Sequence, residues 1–170
     1  MSYIKKKLWL LPMIGSILTL ISLFTPITTL SYSGSFSIQW MFQLGLRIEP
    51  AIEFLLWRGV TLEEIPLLFL SITLSLINFA SSILLIFLTL KYKRNSISYL
   101  KLKKQCLLFG ILIIISTLTW IVVMEVFYII SWGVSHWQFY SPNFGVIGPF
   151  IGSALIIGGF FLLKKEDEWD

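Results

Sequence analysis

Two polar residues interrupt long apolar runs of this sequence and could carry chemistry there. Glu125 lies within "IVVMEVFYII", and Asn78 lies within "SLINFASSIL". A carboxylate surrounded by apolar residues can take up and release a proton or a cation, and an amide can line a polar path. Glu125 and Asn78 are therefore the two candidates for the pathway of a small transporter or channel.

The depth of Glu125 allows a second interpretation. At about 1.5 Å per helical residue, Glu125 lies beyond the middle of its apolar run and one to two turns from the outer end. There it could contact Arg47, Arg58 or His136 from the outer connections, or remain solvated at the interface. We favour the contact with the outer connections over proton or cation handling.

Asn78 belongs to a polar helix face. The face consists of Ser71, Ser75, Asn78 and Ser82. Their spacing of four, three and four residues places all of them on one side of a helix. Interhelical hydrogen bonds from such a face hold helices together in lipid. A conducting path would usually show a charged residue at this depth, and this run has none, so we favour helix packing.

The residue types that enzymes and metal sites need are scarce. The chain has one cysteine, Cys106, and one histidine, His136, and it contains no HExxH, Walker-type or glycine-rich nucleotide motif. The acidic residues that could approach His136 are Glu49, Glu53, Glu63 and Glu64, but nothing in their spacing requires it. We expect no catalytic activity, no cofactor and no bound metal.

One phrase occurs twice, as "PMIGSILTLISLF" at 12–24 and "PFIGSALIIGGFF" at 149–161. Each copy lies in a stripe of small residues at helical spacing, which lets two helix axes approach closely in lipid. The first stripe is Gly15, Thr19 and Ser22, and the second is Gly148, Gly152 and Gly159. We favour helix packing over chance or a duplicated functional element.

The composition indicates a membrane protein. Hydrophobic residues make up 56% of the 170 residues and charged residues 13%, and the mean hydropathy is +0.86. Four apolar runs, at 8–24, 67–90, 107–130 and 144–163, are long enough to cross a bilayer as helices. We predict an all-α membrane protein, a single four-span domain over residues 1–170.

Basic residues predict the orientation, because they are retained on the cytoplasmic side. Eleven of the thirteen lie before the first run, in the inner loop 91–106 or after the last run. Both termini should then be cytoplasmic, in a multi-pass protein of the cell membrane, with 25–66 and 131–143 outside. The run after Lys5–Lys7 could instead be a cleaved signal, but we favour an uncleaved span.

The inner loop carries only basic charges. They provide the orientation signal, and they could also attract anionic lipid headgroups. The residues concerned are Lys91, Lys93, Arg94, Lys101, Lys103 and Lys104. We expect the lipid bilayer, and not nucleic acid, to be their partner.

The first outer segment predicts a small extracellular sheet and a short interfacial helix. Apolar residues alternate with serines over 30–42, with a turn at Ser33-Gly34, which indicates a β-hairpin. His136–Tyr140 is the candidate for a third strand. Pro50 and Gly59 bracket "EPAIEFLLWRG" as the start and stop of a helix lying in the interface.

Trp40, "LGL" at 44–46 and Trp57 in the first outer segment resemble the first-loop signature of the claudins. The resemblance extends to the layout of four spans, a long strand-forming first outer segment and a shorter second one. The two cysteines of that signature have no counterpart here. The resemblance implies a tetraspan fold with an outer sheet.

Together these features favour a non-enzymatic membrane protein that contacts other proteins through its outer face. Its partner would be another copy, giving a homo-oligomer, or a larger membrane complex. The tryptophans expected on this outer surface are Trp40, Trp57, Trp132 and Trp137. The small transporter remains the alternative.

Overall fold

The structure is a computed structural model that describes residues 8–32, 35–41, 45–48, 52–55, 65–138 and 140–163. Within these residues there are four α-helices: α1 (Leu10–Phe24), α2 (Ile65–Lys93), α3 (Tyr99–Trp132) and α4 (Phe144–Leu162). Consecutive helices pack side by side, and α4 packs against α1, which closes the bundle. The four predicted helical runs are confirmed as helices.

Three of the helices, α2, α3 and α4, are long and apolar enough to cross a membrane, whereas α1 is a shorter apolar helix of 15 residues. The distribution of their side chains is the reverse of that in a soluble bundle. On α2, Ser75, Asn78 and Ser82 are fully buried, while Phe69 and Leu76 are more than half exposed. Apolar outward faces of this extent suit a lipid surrounding.

The α2–α3 connection is much shorter than the predicted inner loop of residues 91–106. The helix α2 continues to Lys93, and α3 already begins at Tyr99. Asn95 turns the chain with a φ of 55°, and the Ser98 side chain caps α3 by accepting the Lys101 N–H at 3.4 Å. The predicted loop was too long because it was drawn where the apolar runs end, whereas both helices continue beyond those runs.

Five strands form an antiparallel sheet in the order β4-β3-β2-β1-β5. They are β1 (Thr28–Tyr32), β2 (Ser35–Gln39), β3 (Gly45–Ile48), β4 (Ile52–Leu55) and β5 (Ser141–Pro142). Tyr32 pairs with Ser35, so β1 and β2 form the predicted hairpin, which is confirmed. The other predicted elements of this region need correction.

The predicted interfacial helix at 50–59 is wrong, because Ile52–Leu55 forms strand β4. Ile48 pairs with Ile52 and Gly45 with Leu55, so β4 supplies hydrogen-bond partners to the outer side of β3. A short apolar run fits a strand as well as a helix. The need of β3 for a backbone partner decides between them.

The predicted strand at His136–Tyr140 is also wrong. His136–Gln138 forms a 3-10 helix, and the strand follows only at Ser141–Pro142, where it pairs with β1 through Thr29 and Thr28. The rings of His136 and Tyr140 contact Tyr128 of α3 instead of alternating across a sheet.

Two apolar clusters fill the bundle, one at each end. The cluster nearer the sheet contains Leu23, Ile27, Met41, Leu74, Trp120, Met124 and Val146. The cluster at the other end contains Leu85, Leu102, Cys106, Ile113, Ile156 and Leu163. Along α2 and α3, the polar layer around Asn78 lies between them.

Candidate functional site

Asn78 lies at the centre of a polar layer between α2 and α3. Its Oδ1 accepts a short hydrogen bond from the Ser116 hydroxyl, and its Nδ2 is 3.4 Å from Thr117 Oγ1 and 3.8 Å from Met41 Sδ. All the Asn78 atoms are buried. The layer therefore links two helices to Met41, which lies two residues after the end of β2.

The other residues of the predicted polar face are buried beside Asn78. The hydroxyls of Ser75 and Ser82 donate to carbonyl oxygens of α2 itself, at 2.8 Å each. Ser71 is 1% exposed. Hydroxyls that bond their own helix offer little to a hydrated path, and this face is buried inside the bundle.

The two small-residue stripes face each other across the α1–α4 contact. A Cβ atom added at Gly148 would lie 2.5 Å from Ser22 Cβ, and one added at Gly152 would lie 2.5 Å from the Gly15 carbonyl oxygen and closer to Thr19 Oγ1. Added at Gly159, it would lie 2.8 Å from Pro12 Cδ. The two copies of the repeated phrase thus lie in antiparallel helices and contact each other.

Glu125 reaches the second outer connection. Its Oε2 accepts the backbone N–H of His136 at 3.1 Å. The carboxylate therefore caps the first residue of the 3-10 helix, whose donor has no partner within so short an element. Of the three candidates for the contact with Glu125, the structure brings His136 to it.

His136 is enclosed by aromatic rings. The Tyr140 ring stacks on the imidazole at a centroid distance of 4.4 Å, and the rings of Tyr128 and Trp137 meet it edge to face at 4.5 and 4.9 Å. Trp120 is 6.5 Å away. We call these five residues the His136 cluster.

The His136 cluster contains polar atoms without partners. His136 is fully buried, and neither Nδ1 nor Nε2 has a hydrogen-bond partner within the described part of the chain; the same holds for Trp120 Nε1. Burial lowers the pKa of His136 to about 4, although the carboxylate of Glu125 acts to raise it. The imidazole is therefore neutral at physiological pH.

The structure describes some of the remaining arginines and tryptophans that were predicted to lie on the outer face. Arg47 lies in β3 opposite Ser37 and Glu53, and Trp57 and Arg58 lie outside the described residues. Trp40 donates its Nε1–H to the Phe24 carbonyl oxygen at 3.2 Å, which joins the end of β2 to the end of α1. Trp132 is 68% exposed at the end of α3.

Backbone hydrogen bonds join the sheet to the helix ends. The Asn143 N–H donates to the Ile27 carbonyl oxygen at 2.9 Å, and the Gly145 N–H donates to the Pro26 carbonyl oxygen at 2.9 Å. The Asn143 side chain also donates to Thr29 Oγ1 at 3.1 Å. The start of α4 is therefore fixed to the entry of β1, independently of His136.

The basic residues at the end of α2, at the start of α3 and between them lie at the opposite end of the bundle from the sheet. Three lysines place their ammonium groups over aromatic rings: Lys91 over Phe87 at 4.5 Å, Lys93 over Trp9 at 5.1 Å and Lys103 over Phe160 at 5.2 Å. Arg94, Lys101 and Lys104 belong to the same region. Their long stems can follow apolar surface while the charges reach the headgroups.

The chemistry available to these groups is limited. Among the described residues, no three His, Cys, Asp or Glu side chains lie close enough to hold a metal ion.

The sequence did not identify three residues of the His136 cluster, Trp120, Tyr128 and Tyr140, as site residues. The i, i+3 spacing of Glu125 and Tyr128 places them near each other on α3, but only the fold of the second outer connection brings His136 to them.

Comparison of the sequence with protein-family models and with curated proteins gives no match.

Proposed function

We propose that this chain is a four-span, non-enzymatic protein of the cell membrane that contacts another copy of itself or another membrane protein through its outer sheet. The observation that carries the proposal is the sheet itself. Five strands from both outer connections form one ordered layer at one end of the bundle. Connections that served only to join helices would not need such a layer.

Support for four spans comes from the contacts of α1. Its 15 residues extend about 22 Å, less than the hydrocarbon core of a typical bilayer, which is about 30 Å thick. Its small-residue face nevertheless packs along α4, the most extensive helix contact in the bundle. A helix held this way crosses the membrane together with α4. Local thinning of the bilayer or flanking lysines can accommodate the difference between the helix length and the thickness of the hydrocarbon core.

Support for the orientation comes from the charges. The described basic residues near the α2–α3 connection lie at the end away from the sheet, and the described chain begins and ends, at Leu8 and Leu163, at that same end. By the positive-inside rule, this end is cytoplasmic and the sheet is extracellular.

The proposal keeps a claudin-type layout, at the level of architecture. Its support is the order of the elements: one helix, a first outer segment that contributes four strands, two helices, and a second outer connection that contributes the fifth strand. The single cysteine leaves the chain without the cysteine pair of the claudin first-loop signature.

The free edge of the sheet is a suitable place for a contact. In the described sheet β4 pairs only with β3, so its other side presents backbone donors and acceptors. Edge strands of this kind readily pair with another chain. The contact can therefore use backbone hydrogen bonds in addition to side chains.

Site-specific photo-crosslinking in native membranes tests the proposal. A benzophenone amino acid is placed at Glu53 or Phe54 in separate variants, because neighbouring strand residues point to opposite faces. The matched control is Leu118, which is 46% exposed on α3. We expect a discrete protein adduct from β4 and none from Leu118, whereas protein adducts from Leu118 alone would contradict the proposal.

The transporter alternative has less support. Both polar ends of the Asn78 amide are occupied by Ser116 and Thr117, and the Glu125 carboxylate bonds a backbone N–H near the outer end. Coupling sites usually lie near the middle of the membrane, where each side can reach them in turn.

A further inference from the structure

The second outer connection holds a titratable side chain in a place suited only to its neutral form. His136 is the single histidine of the sequence, it is fully buried, and both its ring nitrogens lack partners in the described part of the chain. Its backbone N–H is bound by the Glu125 carboxylate at 3.1 Å. A proton added to this imidazole would therefore be added to a closed apolar site.

We propose that His136 is a proton-binding site that releases residues 134–138 and Tyr140 from α3 when the outer side becomes acidic. At neutral pH the uncharged imidazole keeps this segment packed in the His136 cluster. The proposal rests on the orientation proposed above, but not on which protein the outer sheet contacts.

The groups that face His136 determine the response. From α3, Glu125 supplies the one negative charge, and Tyr128 and Trp120 are uncharged rings near neutral pH. From the connection itself, Trp137 and Tyr140 contribute rings. Strand β5, which contacts the 3-10 helix, consists of Ser141 and Pro142 and adds no charge.

A protonated imidazole must donate two N–H groups, and neither ring nitrogen of His136 has a hydrogen-bond partner in the described part of the chain. The Glu125 oxygen that reaches this segment already accepts the backbone N–H. The aromatic faces and the Glu125 charge favour the cation in part, but the loss of hydration opposes it more strongly. Protonation therefore favours the open segment, in which water solvates the ring.

The direction of the pH effect follows from these pKa values. The buried ring has a pKa of about 4, against 6.5 for an exposed histidine. The contribution of the neutral ring to packing is thus fully present above pH 6.5 and is lost progressively as the pH falls towards 4. Linkage gives a change in the open-to-packed ratio of about 30-fold between pH 7.5 and 5, and roughly 300-fold at the acid limit.

The opening is local, because both ends of the segment are fixed independently of His136. Gly133 caps α3 with a φ of 68° and donates its N–H to the Ile129 carbonyl oxygen. Beyond the segment, Asn143 and Gly145 remain bonded to Ile27 and Pro26. Release therefore exposes aromatic surface at the edge of β5 without unfolding the bundle.

The test combines two measurements on the full chain in lipid nanodiscs, prepared without a histidine tag. With isotope-labelled histidine in this chain alone, the imidazole NMR signal comes from His136 and reports its titration directly. Hydrogen exchange, expressed as protection factors, reports opening of the segment. We expect His136 to titrate well below pH 6.5, and protection of the segment to fall about 30-fold between pH 7.5 and 5.

Two variants separate a proton-binding role from packing alone. His136→Phe keeps an aromatic ring and the backbone N–H to Glu125, so the segment should stay packed at both pH values. Glu125→Gln keeps an acceptor oxygen but loses the charge that raises the pKa of His136, so the imidazole should titrate at a still lower pH.

Three results would overturn the proposal. The first is an imidazole that titrates near pH 6.5 with unchanged protection. The second is protection that increases in acid, which would mean that the aromatic rings stabilise the cation. The third is an equal loss of protection in acid in the His136→Phe variant.

Discussion

A single added methyl group at Gly152 should separate the two helices that carry the repeated phrase. In Gly152→Ala the new Cβ would lie 2.5 Å from the Gly15 carbonyl oxygen and 3.2 Å from the Thr19 backbone nitrogen. Both are backbone atoms and cannot rotate away. To reach an ordinary contact of 3.4 Å, the α1 and α4 axes must move apart locally by about 1 Å.

Gly158 offers a matched control, because it lies in the same helix and an added Cβ there meets nothing within 4 Å. The helix propensity gained by replacing glycine with alanine, up to about 1 kcal/mol, is common to both variants and cancels. The difference between them is then the steric cost alone, about 1–3 kcal/mol. Gly158→Ala should be neutral or stabilising.

Equilibrium unfolding in mixed micelles, driven by increasing SDS and followed by circular dichroism, measures this difference. Gly152→Ala should unfold at a lower SDS fraction than Gly158→Ala, and Gly152→Leu at a lower fraction again. Equal midpoints for the two alanine variants would refute the close α1–α4 contact and with it our account of the repeated phrase.

Three further outcomes are expected. Asn78→Leu should lower the free energy of unfolding by about 0.6–1.7 kcal/mol, because interhelical hydrogen bonds are lost. Thr73 lies on the exposed face of α2 and its hydroxyl bonds only its own helix, so Thr73→Leu should not lower this free energy. Equal effects of the two substitutions would contradict the polar layer. Glu125→Gln should leave any ion or proton flux of the reconstituted protein unchanged, whereas loss of a wild-type flux in a folded variant would favour the transporter. Reporters active only outside the cell should be silent when fused after Asp170 and active near Gly34, and activity at both positions would contradict four spans.

The helices and the hairpin could be predicted because their signals are local. An apolar run of about twenty residues marks a membrane helix, and the alternation of 30–42 marks paired strands. The facing stripes could be predicted as packing surfaces for the same reason. That the two stripes pack against each other required the closed order of helices, which no local pattern contains.

The errors arose where distant contacts decide the conformation. Residues 52–55 carry a pattern compatible with helix and strand, and pairing with β3 selects the strand. Residues 136–138 alternate aromatic and polar side chains like a strand, but the Glu125 cap and the enclosing rings select a 3-10 turn. The His136 cluster itself joins α3 to the second outer connection, so its geometry appears only in the folded chain.

The meeting of the first and last helices has a consequence for synthesis in the cell. Gly15 and Gly152 are 137 positions apart, and at 5–20 residues per second the ribosome needs roughly 7–27 s to make the chain between them. If α1 spans the membrane as we propose, it lies in the bilayer during this interval without the α4 contact of its small-residue face. A chain truncated before Phe144 lacks α4 and cannot cover the small-residue face of α1. The α1–α4 contact therefore distinguishes finished molecules from unfinished ones.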